Sequence, residues 1–291
     1  MENLLKKISM PREAWDTIFK IFDIINKNEE LKEVFESSAK EYLSDPFSFE
    51  TEAYIKWLAE ELDEHIYSAY LAFYIECAKG LPDKYAKLGI DEELCYAALE
   101  DVSVKVAECK KLFGVYGVDV PGWYNGLFEP RIFRLGRLEY IQKPYPWEPY
   151  KNFINKGDKA YDLHIPSSGS LTPELVMDSF KKAYEFYKCK GNMIIFCSTW
   201  MLYPPYSGDI FTEGSNIQAF YDLFDVINES PDTPYPIYRW IFSTLDETTP
   251  VDKLPTDTSL QRKFINRIKA GKPLGSGHGV IVFDGEKIIN K

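Results

Sequence analysis

The sequence predicts an α/β (α+β) protein in two parts, an all-helical N-terminal domain over residues 1–123 and a mixed β-sheet flanked by helices over residues 124–291. Three observations predict it. Apolar residues recur every three or four positions in the first part, and strand-like and helical segments alternate in the second. The two patterns meet at Val118-Asp119-Val120-Pro121-Gly122-Trp123, where one gives way to the other.

In the first part, Ile55, Leu58, Leu62, Ile66, Ala69 and Phe73 recur at helical spacing, as do Cys95, Leu99, Val102, Val106 and Cys109. Each set marks the apolar face of an amphipathic helix. Residues 12–27 and 29–43 repeat the pattern, with stops predicted at Gly80-Leu81-Pro82 and at Gly89. His65 reads as an ordinary polar or core histidine.

The second part opens with IFRLGRLEY (132–140), which alternates apolar with charged or small residues as a half-exposed strand does. Strands are then predicted over 161–165, 193–202, 238–242 and 280–283, and helices over 173–188, 216–227 and 259–270. The Pro-rich stretches 143–149 and 230–236 read as loops. The run Leu274-Gly275-Ser276-Gly277-His278-Gly279 precedes a strand and not a helix, so neither nucleotide-loop context applies. It reads as a flexible turn or bulge, with His278 reaching a site only if that loop folds over it.

Composition narrows the function. A formal net charge of -11 disfavours nucleic acid and anionic lipid as partners, and 45% hydrophobic residues without a membrane-length apolar run point to a soluble, small-molecule protein. The N-terminal stretch has no signal-like apolar core, which predicts cytoplasmic residence. Cys77, Cys95, Cys109, Cys189 and Cys197 are odd in number and widely spaced. They predict reduced thiols, with no disulfide framework and no metal site.

One short stretch carries the chemistry. LHIPSSGSLTPEL (163–175) runs from a strand through Ser167, Ser168, Gly169 and Ser170 into a helix capped at Thr172, with Pro173 at its first position. It is either a tight, well-capped turn or a cradle in which small residues and helix N–H groups receive a phosphate.

The order of elements around this stretch resembles the GNAT superfamily of acyl-CoA-dependent N-acyltransferases. In that fold a strand enters a pyrophosphate loop of the form Q/R-x-x-G-x-G/A directly before a helix. The matching register is His164-Ile165-Pro166-Ser167-Ser168-Gly169, where Gly169 fits, His164 replaces Gln or Arg, and Ser167 replaces the first Gly. FRLGRLEY, GDKAYDLHIPSSGSLTPELV, FCSTWMLYP and SNIQAFYDLF together resemble a bacterial group of acyltransferase domain proteins, with a helical N-terminal domain and a GNAT-like C-terminal domain. The resemblance spans nearly the whole chain. It implies acyl-CoA or acetyl-CoA as co-substrate, a small amine as acceptor, and Ser167, Ser168, Gly169, Ser170 and Thr172 as the phosphate-binding residues.

Acyl transfer to an amine needs a base, and a donor for the departing thiolate. His164 is the leading base, as an imidazole at the mouth of the loop; the competing reading is a hydrogen bond to the turn. Glu139 is the alternative base. Arg137 shares its strand face, so the two can pair there, as can any solvated ion pair. The GNAT pattern N-x-x-A-x-x-x-Y, whose tyrosine protonates the thiolate, is matched by Asn216 and Ala219 but has Leu223 at the tyrosine position. Tyr221, two residues earlier, is the substitute candidate. Arg137, Trp200 and Asn216 are candidates for binding substrate, Trp200 against a core role. Two alternatives stand beside this reading: a binding module that keeps the fold without the chemistry, and a covalent acyl-enzyme on Cys197.

Overall fold

Helices account for nearly all of the first half of the chain. In the computed structural model, which describes residues 1–290, they are α1 (Glu2–Lys7), α2 (Trp15–Lys27), α3 (Glu29–Ser44), α4 (Thr51–Leu62), α5 (Ile66–Lys87), α6 (Glu92–Phe113) and α7 (Pro121–Phe128). The second half supplies β1 (Ile132–Leu135), β2 (Leu138–Pro144), β3 (Lys159–His164), α8 (Pro173–Phe186), β4 (Met193–Thr199), α9 (Asn216–Tyr221), β5 (Asp225–Ser230), α10 (Tyr235–Trp240), α11 (Ser259–Lys269) and β6 (Ser276–Phe283). The chain divides into two compact units between Arg134 and Leu135, inside β1.

The helical unit is held by aromatic packing. Phe73 on α5 meets Phe35, Tyr42, Phe49 and Tyr54, with ring centroids 5.1–6.3 Å apart. Each such pair contributes about 0.5–1.5 kcal/mol beyond area burial. The predicted stop at Gly80-Leu81-Pro82 is overturned, because α5 runs on to Lys87 with Pro82 inside it. Pro82 forfeits one backbone hydrogen bond, but Ala78, Leu81 and Tyr85 are all buried across that turn, and their burial outweighs the loss. His65 caps α5, its Nδ1 accepting from the Tyr67 N–H at 3.1 Å.

The six strands of the sheet lie in the order β1-β2-β3-β4-β6-β5. β3 and β4 are parallel; β2–β3, β4–β6 and β5–β6 are antiparallel. One face packs on α8, through the Tyr140 hydroxyl 3.0 Å from Ser179 Oγ and through Phe180 against Phe283. Opposite it, Tyr145, Tyr150 and Ile154 from the segment between β2 and β3 cover Ala160, Ile194, Phe196, Val280 and Val282. Further along, Trp200, Tyr206, Phe211 and Phe264 share a second apolar cluster.

Five sequence expectations change here. Residues 132–140 form two strands, and the expected half-exposed alternation fails because Glu139 is only 2% exposed. β4 stops at Thr199, whose hydroxyl accepts from the Met201 N–H at 3.3 Å and starts a short 3-10 turn. The helix expected over 216–227 ends at Tyr221 and gives way to β5. Residues 238–240 close the helix α10 instead of starting a strand, and the chain leaves it at Ile241 and Phe242; Pro236 suits a first helical turn, and Ile237 behind it is buried. The glycine-rich run is strand, not a flexible turn. A Cβ on Gly277 would lie 1.8 Å from the Leu202 carbonyl oxygen, so glycine is required there for close approach.

Candidate active site

Parallel strands β3 and β4 pair at Tyr161–Ile195 and Asp162–Phe196. Pairing stops there, although β3 continues to His164 and β4 to Thr199. The two strands therefore part, with His164 two residues beyond the last paired row on one side and Ser198 two residues beyond it on the other. Side chains alternate along a strand, so His164 and Ser198 share the face of Asp162 and Phe196. Across the ladders, His164 stands opposite Glu139 and Ser198 opposite His278. A polar row thus crosses the sheet at the parting: Glu139, His164, Ser198, His278.

His164 is held by its own strand. Its Nε2 lies 2.9 Å from Asp162 Oδ2, and the same carboxylate oxygen receives Lys143 Nζ at 2.5 Å. Asp162 is 8% exposed. Burial alone raises its pKa, but the His164 hydrogen bond and charge, with Lys143, outweigh it and leave the carboxyl below its ordinary value. An ionised carboxylate can only accept, so the Nε2 that faces Asp162 carries a proton.

The loop after β3 is braced from behind. Arg137, in the turn between β1 and β2, donates from Nε to the Ser170 carbonyl at 2.8 Å, and from Nη2 to the Pro166 carbonyl at 2.9 Å and the Gly169 carbonyl at 3.4 Å. The expected substrate-binding arginine is thus engaged with the loop's own carbonyls. Gly169 has φ +76°, a region where side-chain-bearing residues are strained. Thr172 caps α8, its hydroxyl accepting from the Leu175 N–H at 3.4 Å. Ser167, Gly169 and Ser170 are exposed. One feature opposes an incoming anion: Glu174 occupies the first turn, its carboxyl lowered by its own backbone N–H and by the Thr172 hydroxyl.

The GNAT-like C-terminal domain family matches residues 132–281, a span that contains the whole row and the loop. This chain belongs to that family. Its first part matches the N-acyltransferase N-terminal domain over residues 1–129. Comparison with curated protein sequences finds no match. Among solved structures, the fold is similar to an acyltransferase in complex with decanoyl-CoA and teicoplanin, at 20% identity and a TM-score of 0.73, covering 97% of this chain and 87% of that one. A mutant acyltransferase in complex with octanoyl-CoA matches at 20% identity and 0.73, over 96% and 86%. A complex with CoA and 10C-teicoplanin matches at 19% and 0.73, over 96% and 86%.

Within this GNAT-like domain, the other expected site residues lie elsewhere. Tyr221, at the end of α9, meets Phe211 at a tilt with centroids 5.0 Å apart and packs against the second apolar cluster. Burial raises its pKa first, with Asp222 and Glu229 adding to it. Trp200 is 8% exposed and sits edge-on to Tyr206 and Phe264, so its placement is that of a core residue. Asn216 is exposed at the start of α9, one position after the Ser215 cap. Cys197 is 1% exposed, and burial pushes its thiol well above the usual range. That removes the thiolate a covalent route would need.

Asp162, Lys143, Ser198, His278 and Ser230 were not foreseen as partners. Asp162-Leu163-His164 carried a local signal, since alternate residues of a strand share a face. The pairing of Ser198 with His278 joins residues 80 positions apart through the ladder and has no local signal. In the helical unit, a separate concavity of about 400 Å³ is lined by Phe19, Phe22, Ile25 and Phe35 together with Asp23 and Lys79. It contains none of the expected site residues.

Proposed function

We propose that this protein moves an acyl group from an acyl-CoA thioester to the amino group of a small-molecule acceptor, with the chemistry at the parting of β3 and β4. The observation that carries the reading is that parting, in a GNAT-like domain, with His164 on one lip and a braced small-residue loop leading into α8. Unpaired strand edges bind an extended amide-bearing chain by adding it to the sheet, which suits the pantetheine arm of CoA. The loop residues Ser167, Ser168, Gly169 and Ser170, together with Thr172 and the N–H groups of the first turn of α8, face the phosphates. Octanoyl- and decanoyl-CoA in the similar structures support a medium-chain donor, and teicoplanin in one of them supports an acceptor larger than a simple amine.

His164 takes the proton from the amine as nitrogen attacks the thioester carbon. Asp162 fixes the ring and compensates the charge that His164 gains; Lys143 keeps Asp162 ionised. Glu139, opposite His164 and nearly fully buried, shapes the row from the β2 side. Five free cysteines fit a reducing compartment such as the cytoplasm.

The test is calorimetry with acetyl-CoA and decanoyl-CoA on the wild type and on Ser170→Glu, followed by thiol release across a panel of amines. Ser170 is preferable to Gly169, where the positive φ would confound binding with folding. Binding weakened by the added carboxylate, and turnover lost in His164→Gln, support the reading. Binding without thiol release would favour a module that has kept the fold and lost the chemistry, and absence of binding would overturn both.

A further inference from the structure

The acyl-transfer reading, on which this inference rests, supplies a base but no proton donor for the thiolate. Leu223 stands where the resemblance expected a tyrosine, and Tyr221 packs on Phe211. Across the parting from His164, however, three side chains form a continuous hydrogen-bonded chain. Ser198 Oγ lies 2.8 Å from His278 Nδ1, and Ser230 Oγ lies 2.9 Å from His278 Nε2. Ser198 is exposed, while His278 and Ser230 are half-buried. Trp147 closes over the imidazole, its ring edge-on at 5.3 Å, and Asn228 lies across the ladder from it.

We propose that Ser198 hands a proton to the departing thiolate, and that His278 and Ser230 are positioning residues that refill it. The carbon–sulfur bond breaks with its pair going to sulfur, which takes the Ser198 hydroxyl proton. Ser198 recovers a proton from His278 Nδ1, His278 takes one at Nε2 from Ser230, and Ser230 takes one from water; proton exchange with solvent returns the ring to its Nδ1–H tautomer before the next turnover. The proton that His164 removes from the amine returns to solvent, so the new carbon–nitrogen bond and the free thiol are the only net products.

The division of labour follows from the surroundings. A base must carry positive charge after it acts, and His164 has the Asp162 carboxylate beside it. His278 is placed against two hydroxyls and an indole, so a chain that passes a proton through a neutral imidazole fits its surroundings better than one that stores charge there. Burial also holds the His278 imidazole below its ordinary value.

The experiment compares two acyl donors, decanoyl-CoA and a decanoyl aryl thioester whose thiol is acidic enough to leave without a proton. Ser198→Ala is expected to lower kcat on decanoyl-CoA by on the order of 10²-fold, with acyl-CoA affinity unchanged, and to cost far less on the aryl thioester. His278→Gln, whose amide still bonds both serines but cannot pass a proton, is expected to show the same selectivity, and Ser198→Thr to recover most of the loss. An equal loss on both donors, no loss on decanoyl-CoA, or an acyl adduct on Ser198 would overturn the relay. Absence of wild-type turnover on either donor would instead remove the acyl-transfer reading beneath it.

Discussion

His164 and His278 flank the parting of β3 and β4 from opposite sides, and the sheet gives them different partners. His164 reaches back along its own strand to an ionised, buried carboxylate. His278 reaches sideways to hydroxyls on two neighbouring strands. The same imidazole is thus equipped on one side to hold a charge and on the other to pass a proton while staying neutral. Side-chain identity alone does not assign acid and base; the groups within hydrogen-bond reach do.

The largest effect expected from breaking this contrast is at His164. His164→Gln should lower kcat by roughly 10²–10⁴-fold, the range of a general base, without changing acyl-CoA affinity by calorimetry. A fully active variant would erase the distinction between the two histidines. Asp162→Asn sharpens it, because both His164 and Lys143 lose a charged acceptor. The expected cost is about 1–3 kcal/mol in urea unfolding, together with slower turnover.

Acid titration separates the two sides further. Asp162 has a depressed folded pKa, so its contribution to stability is full above the ordinary carboxyl value of 3.8 and is lost as pH falls through the folded value. His278 is also depressed, but as a base. As pH falls below its ordinary 6.5, the unfolded chain binds a proton that the folded chain does not, and stability declines until the folded pKa is passed. His278→Gln should flatten that upper part of the curve, and Asp162→Asn the lower part, in thermal melts across pH.

Smaller effects mark the edges of the site. Gly169→Ala should cost about 1–2 kcal/mol through its positive φ, because the new Cβ would meet nothing nearer than Arg137 Nε at 4.0 Å. Thermal unfolding measures this. Tyr221→Phe keeps the ring contact with Phe211 and should leave thiol release unchanged; a large loss would return the proton donor to α9.

Much of this was legible in the sequence. The helical periodicity of Ile55 to Phe73 and of Cys95 to Cys109, the turn from β3 into a Thr172-capped helix, and the small residues between them are local patterns, and the structure keeps them. The misreadings arose where non-local contacts decide. Pro82 stays in a helix because buried neighbours on both sides hold it, and Gly277 is in a strand because the Leu202 backbone presses against it. Trp200 and Tyr221 have the chemistry of site residues, but pack into an apolar cluster assembled from distant segments. The row of Glu139, His164, Ser198 and His278 depends on strand order and register, which only the folded sheet reveals.

The most direct measurement is hydrogen–deuterium exchange of the backbone amides with and without decanoyl-CoA. Protection is expected to concentrate at residues 163–172 and 196–199, the two lips of the parting and the loop beyond it. Protection confined to the concavity between α2 and α3, with those segments unchanged, would contradict acyl-CoA binding at the parting.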